Sequence, residues 1–226
     1  MSPPRPSLRA EKALLRAGRT AVAGVDEVGR GAPAGPVTCG VVVVDAMVGR
    51  VPAGLRDSKL LTPAARRALV DVVDRWCLDH AVGHASAAEV DALGLTAALG
   101  LAGVRALGAL SVRPDAVLLD GSHDWLGPPD GPGGGAVPPV TTRVRADQTC
   151  ASVAAASVLA KVARDGIMVD LDGQHPGYGW AANKGYGTGD HLAGVERLGL
   201  TVHHRHTWRF GTGDPDGTGP PGRQDR

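Results

Sequence analysis

Two adjacent acids, Asp26 and Glu27, close an apolar run in GVDEVGRG (24–31) and stand directly before a glycine-flanked arginine. A carboxylate is costly to hold in a half-buried setting unless a cation compensates it. Two further acids occupy comparable places. Asp120 ends the apolar run 116–119 and is followed by Gly121, and Asp147 stands at the start of an Ala-rich helical segment. In an open α/β sheet, strand ends and helix starts share one edge, where ligands bind. Four acids from separate segments would then meet at a single point. Oxygen ligands with no Cys and no evident His partner favour Mg²⁺ or Mn²⁺ over zinc. On these residues alone the plainer readings stay open: a solvated acid pair before a turn for Asp26 and Glu27, and a helix N-cap for Asp147. A regular strand also sends adjacent side chains to opposite faces. Asp26 and Glu27 therefore share a site only if the strand ends or bulges there, or if Glu27 acts from the periphery.

The elements that must position these acids alternate along the chain. Segments 20–27 and 36–44 read as strands joined by a glycine-containing turn. The unbroken valine run 41–44 marks the second as buried on both faces. Residues 63–79 carry Leu69, Val72, Val73 and Trp76 at helical spacing, with Pro63 in the first turn. There follow a short strand near 82–87, a helix around 95–110, and short strands at 116–120 and 140–144. An Ala-rich helix from about 149 to 169, a Gly/His/Tyr-rich loop and a helix near 189–198 complete the series. A strand hairpin followed by alternating helix and strand predicts an α/β layer structure.

The bulk numbers set bounds. A chain of 226 residues suits one compact domain, and 43% hydrophobic with 3% aromatic residues means a core of Val, Leu and Ala. The 24 basic and 23 acidic residues leave a net charge of +1, so bulk charge neither supports nor excludes a nucleic-acid partner. Cys39, Cys77 and Cys150 form no CxxC pair, which argues against a disulfide framework or a zinc site and fits a reducing cytosol. Charges and prolines in MSPPRPSLRAEKALL exclude a secretory signal there, and no run approaches the ~18–20 apolar residues of a membrane span. The expectation is a soluble, cytoplasmic protein without membrane contact. Low-complexity composition predicts disordered tails at 1–7 and 211–226 and a flexible Gly/Pro loop at 127–139.

The blocks GVDEVGRGAPAGPV, DSKLLT, LLDG, ADQTCASVAAASVLAKVARD, HPGYGWAANKGYGT and HHRHTW follow one another in order. Together they resemble the type 2 ribonuclease H family, the bacterial ribonuclease HII branch in particular, over roughly residues 8–210. The resemblance implies a single catalytic domain over that span, with an RNase H-like fold: a mixed central sheet, flanking helices and a C-terminal helical extension. It implies that Asp26, Glu27, Asp120 and Asp147 are the catalytic, metal-binding acids for Mg²⁺ or Mn²⁺. It further implies that Gly29, Arg30 and Gly31 approach a ribose 2′-hydroxyl through their backbone and that Tyr186 stacks beside the following sugar. The sequence departs from the family pattern at Ala146, Asn183 and Thr207–Trp208, none of them one of the four acids.

The activity so implied is endonucleolytic cleavage of the RNA strand of RNA–DNA hybrids, and of duplex DNA 5′ of embedded ribonucleotides, by two-metal catalysis. The ends would be 5′-phosphate and 3′-hydroxyl, and the role ribonucleotide removal in DNA repair and replication. A monomer is expected. Sliding-clamp contact occurs in such enzymes, and no segment here matches a clamp-binding peptide. Lys59 and Lys184, with Arg30, Arg143 and Lys161, are candidates for phosphate contact, although surface cations are usually only solvated. His203, His204 and His206 read as phosphate contacts or solvated residues rather than metal ligands, and Ser152 and Ser157 as small residues that permit close helix packing. Two other readings remain: a non-catalytic nucleic-acid-binding module, and a metal-dependent phosphatase or nuclease with another substrate.

Overall fold

The computed structural model describes residues 5–127 and 137–208. Five strands, β1 (Ala21–Val28), β2 (Val37–Asp45), β3 (Asp79–Ala85), β4 (Ala116–Asp120) and β5 (Val140–Arg143), form one mixed sheet in the order β3-β2-β1-β4-β5. The pairs β1–β2 and β2–β3 are antiparallel, whereas β1–β4 and β4–β5 are parallel. The helices are α1 (Arg9–Arg16), α2 (Pro63–Trp76), α3 (Ala87–Leu93), α4 (Leu95–Gly108), α5 (Ala146–Thr149), α6 (Ala151–Gln174), α7 (Trp180–Asn183) and α8 (Gly189–Leu198).

Strand periodicity divides the apolar side chains between two layers. Ala23, Val25, Cys39, Val41, Val117 and Leu119 pack with α4, while Val22, Val42, Val44, Ala116 and Leu118 pack on the α6 side. The central strands are apolar on both faces, as the valine run predicts. Scarce aromatics and abundant alanine let α6 lie very close to the sheet. A Cβ on Gly24 would stand 2.4 Å from the Ser152 carbonyl carbon, and one on Gly40 would stand 2.3 Å from the Ala156 carbonyl oxygen.

The α/β expectation holds, with local differences. The third strand begins at Asp79 rather than near residue 82. α1 and α3 are additions to the expected series. α3 is opened by a capping box in which Ser86 and Glu89 satisfy each other's backbone N–H groups. The Ala-rich helix is two helices, because Cys150 is extended between α5 and α6. Residues 1–4 of the expected N-terminal tail lie outside the described residues, but Ser7 belongs to the fold. Its N–H donates to Thr149 and its carbonyl accepts from Ala151. Residues 128–136 of the expected loop, and all of 211–226, also lie outside the described residues. Among the described residues no helix is long and apolar enough to cross a membrane.

Candidate active site

In the parallel pair β1–β4, Leu118 lies opposite Gly24 and Leu119 opposite Val25. One further step of that register sets Asp120 beside Asp26, at the carboxyl ends of neighbouring strands and on the face covered by α6. Asp120 Oδ1 accepts a 2.6 Å hydrogen bond from the Ala146 N–H and a longer one, 3.3 Å, from the Asp147 N–H. Those bonds tie α5 to the same edge and bring Asp147 there. Residues 57–60 complete this side. The Asp57 carboxylate caps a 3-10 turn by accepting from the Lys59 N–H, and Lys59 Nζ lies 3.5 Å from Asp147 Oδ2.

Glu27 leaves on the other face. It pairs with Cys39 in a register that runs unbroken from Ala21 to Val28, so β1 does not bulge at the acids. Glu27 Oε1 accepts from Arg30 at 3.2 Å, and Oε2 is buried without a hydrogen-bond partner among the described residues. The four acids lie within electrostatic reach of one another. Among the described residues, however, no three of them close into a ready-made metal cage.

Burial and mutual repulsion dominate the electrostatics of this edge. Burial, then the charges of Glu27, Asp120 and Asp147, push the Asp26 carboxyl well above its ordinary value, with Lys59 opposing. Burial also raises Glu27 against the pull of Arg30. Burial, Asp120 and Asp57 push Asp147 up to about 6. Burial lowers the Lys59 ammonium, but Asp26, Asp57, Asp147 and Asp120 outweigh it and leave the group raised. Carboxylates held within electrostatic reach of one another, with a buried Glu27 oxygen unpartnered among the described residues, are a donor set that a hard divalent cation would satisfy.

The glycine-rich turn after β1 is organised from inside by two buried arginines that the sequence did not single out. Arg164, on α6, donates to the carbonyls of Pro36, Lys184 and Ala34 at 2.8, 2.9 and 3.0 Å. Arg205 donates to Gly29, Arg30 and Gly35 at 2.6, 2.9 and 3.2 Å. Gly29 has φ +91°, and a Cβ there would collide with Arg164 Nε at 2.2 Å. The protein interior by itself therefore requires a glycine there. Gly31 differs: it is exposed, and a Cβ there would meet nothing within 4 Å.

Arg164 also joins this turn to the loop holding Tyr186, through the Lys184 carbonyl. Ala34 N–H donates to Gly185 O at 3.2 Å, and the half-buried Tyr186 ring sits 5.4 Å from the Arg164 guanidinium. Lys184 takes a left-handed conformation, φ 54°, and turns its ammonium onto the Ala181 carbonyl. Asn183 braces the loop by donating to Tyr178 O and accepting from Gly185 N–H. Arg143 is exposed beside Asp120 in the β4–β5 register, and Lys161 is held by Asp165 at 2.6 Å. The expectation of solvated or phosphate-binding histidines fails for His204, which is fully buried. Its ring bonds His191 at 3.2 Å, and His191 contacts the Tyr186 carbonyl at 2.9 Å. Ser152 does more than permit packing, since its N–H and hydroxyl both donate to the buried Glu11 carboxylate at 2.8 Å.

Comparison with known proteins decides the lineage. Residues 23–210 match the family model described as ribonuclease HII. The chain belongs to the ribonuclease HII family. A ribonuclease HII from Streptomyces avermitilis is 50% identical over 212 residues, covering 92% of this chain and 86% of the relative. One from Paracoccus denitrificans is 50% identical over 206 residues, covering 90% and 91%. The crystal structure of the ribonuclease H2 from Pyrococcus horikoshii superimposes with a TM-score of 0.70 at 27% identity, covering 84% of this chain and 95% of that one. Membership of the ribonuclease HII family makes the chain an enzyme, a ribonuclease H endonuclease. It also gives the RNase H-like mixed sheet its place, with α7 and α8 as the C-terminal helical part.

Sequence reasoning missed Asp57, Arg164 and Arg205. Asp57 carried a signal, an acid two residues before Lys59 inside a matched block. An isolated arginine reads as a solvated side chain, and only tertiary contacts show otherwise.

Proposed function

We propose that this ribonuclease HII cleaves the RNA strand of RNA–DNA hybrids and cuts on the 5′ side of ribonucleotides embedded in duplex DNA, leaving 5′-phosphate and 3′-hydroxyl ends. The observation that carries this reading is the placement of Asp26 and Asp120 on neighbouring parallel strands, with Asp147 joined through its backbone to Asp120. Asp26, Asp120 and Asp147 would hold Mg²⁺ or Mn²⁺ on the α6 side of the sheet, and Glu27 would reach the same edge from the opposite face. Two such cations, when bound, supply the charge neutralisation that a phosphodiester needs at the attacking water and the departing 3′ oxygen.

The chain's own residues then choose and orient the substrate. A ribose is told from a deoxyribose by its 2′-hydroxyl. Gly31 has open space above it, so backbone there can approach that hydroxyl. Arg30 and Lys59, both exposed beside the acids, are assigned to backbone phosphates, and Lys184 joins them once its ammonium leaves Ala181. Tyr186 is assigned to stack on the sugar after the ribonucleotide. The reading places the enzyme in ribonucleotide removal during DNA repair and replication, acting as a cytoplasmic monomer, with a nucleic-acid duplex as its partner. A duplex carrying one ribonucleotide, incubated with Mg²⁺ beside an all-DNA control, tests it. Cleavage 5′ of the ribonucleotide alone is expected; an intact ribonucleotide strand, or cleavage of both duplexes, would overturn it.

A further inference from the structure

Arg205 is buried, forms no salt bridge among the described residues, and donates from its two terminal nitrogens to the carbonyls of Gly29, Arg30 and Gly35. Burial, then the nearby Arg164 charge, lowers its guanidinium to about 10, so it stays charged at neutral pH. A buried cation held by carbonyls without an ion pair is expensive, which asks what the arrangement gains. The answer lies in peptide geometry. In a trans peptide the C=O and the following N–H point in opposite directions, and this chain has no cis bond among the described residues. Drawing the Gly29 and Arg30 carbonyls inward therefore turns the N–H groups of Arg30 and Gly31 outward. Both residues are exposed, and among the described residues neither N–H has a hydrogen-bond acceptor. The Gly35 carbonyl has no such counterpart, because Pro36 lacks an N–H.

We infer that Arg205 is a positioning residue that sets ribose selectivity: by holding two carbonyls of the 29–31 turn inward it presents the Arg30 and Gly31 N–H groups as a preorganised pair of donors for a ribose 2′-hydroxyl and its adjoining phosphate. Arg205 stands 175 and 176 residues along the chain from the carbonyls of Arg30 and Gly29 that it holds. Its guanidinium packs 4.8 Å from the Trp208 ring, which fixes the fork from the other side. The planar fork is the property that matters, because a lysine ammonium cannot satisfy spaced carbonyls in one plane. The inference rests on the reading of the 29–31 turn given above and adds the residue that shapes it.

The test measures affinity, by fluorescence anisotropy in an Asp120→Asn background, for a single-ribonucleotide duplex and for the all-DNA duplex of the same sequence. Adding Arg205→Lys keeps the positive charge and removes the fork. The expected result is a loss of about tenfold in the ratio of the two affinities, with all-DNA binding unchanged. A general loss of structure would lower both affinities together. Hydrogen exchange at the Arg30 and Gly31 amides of the Asp120→Asn protein is the second measurement, decisive if Arg205→Lys does not fold. Slowing by the ribonucleotide duplex and not by the DNA duplex is expected. An unchanged affinity ratio in a folded Arg205→Lys protein would overturn the inference alone, whereas equal slowing by the two duplexes would overturn the reading of the turn together with it. Equal affinity for the two duplexes before Arg205 is changed would overturn the reading of the turn and this inference with it.

Discussion

Asp120 is bonded through its carboxylate to the backbone N–H of Asp147, so two of the proposed metal-binding acids are held to each other before any ion binds. The same Asp120 oxygen accepts from Ala146 at 2.6 Å. An asparagine can keep an acceptor at that atom while losing the charge. Asp120→Asn is therefore expected to keep its melting temperature within a few degrees and lose roughly a thousandfold or more in kcat on a single-ribonucleotide duplex. Normal turnover by that variant would remove Asp120 from the site.

Repulsion among Asp26, Glu27, Asp120 and Asp147 predicts that divalent cations stabilise the fold. Mg²⁺ or Mn²⁺ at about a hundred times its dissociation constant should add about 2.7 kcal/mol to unfolding, read as a rise in melting temperature that excess chelator reverses. Asp120→Asn should blunt that rise. A melting temperature indifferent to both ions would contradict the assignment of these acids.

Tyr186→Ala is expected to lower kcat/KM on a single-ribonucleotide duplex by about 5- to 30-fold, from the loss of a stacking surface of roughly 1–2 kcal/mol. The cation-induced rise in melting temperature should be unchanged, because the ring faces Arg164 and Lys161 rather than the acids. Equal kcat/KM for the two proteins would take the tyrosine out of the substrate site.

His204 makes acid stability a separate prediction. Burial, then His191, lowers its imidazole from 6.5 to about 4. The unfolded chain thus binds this proton first, and the contribution is full above about pH 6.5 and lost as the pH falls towards 4. A loss of roughly 1–3 kcal/mol is expected across that window. The raised carboxyls of Asp26, Glu27 and Asp147 push the other way, since protonation favours them folded. The measurement is therefore a difference: urea midpoints at pH 7.5 and pH 5 for the wild type and His204→Gln. Parallel shifts in the two proteins would show that His204 does not titrate on unfolding.

Gly24→Ala tests the approach of α6 to β1. The new methyl would fall 2.4 Å from Ser152 Oγ and 2.5 Å from the Val153 nitrogen. Backbone must move to admit it, and a cost of about 2–4 kcal/mol in urea unfolding is expected. Because Asp26 lies two residues along the same face, kcat should fall as well. A variant as stable and active as the wild type would show that the two elements can separate freely.

Much of this layout is legible in the residues themselves. Apolar runs that end in an acid announce β1 and β4, and the acids sit at neighbouring strand ends because a parallel pairing joins those two segments. What escapes is tertiary. Helical composition continues through Cys150, so the break that separates Asp147 from α6 leaves no mark in the residue types. The Ser86–Glu89 capping box is the one local signal for α3, a helix too short to show a clear apolar period. A bulge at Glu27 would put it beside Asp26, yet the strand stays regular and its carboxylate leaves by the other face. Arg164, Arg205 and His204 bear polar groups that ordinarily face water. The burial of the two arginines depends on carbonyls supplied by segments far away in the chain, and that of His204 on the ring of His191.

The long span between Gly29 and Arg205 has a consequence for synthesis at the ribosome. A nascent chain acquires all four acids by residue 147 and has α6 by residue 174, but the guanidinium that orders the turn emerges only some thirty residues later. Until then the incomplete polypeptide carries its acids beside a 29–31 turn whose carbonyls still lack the Arg205 donors. On the role proposed for Arg205, ribose selectivity would come later in synthesis than the acidic edge it serves.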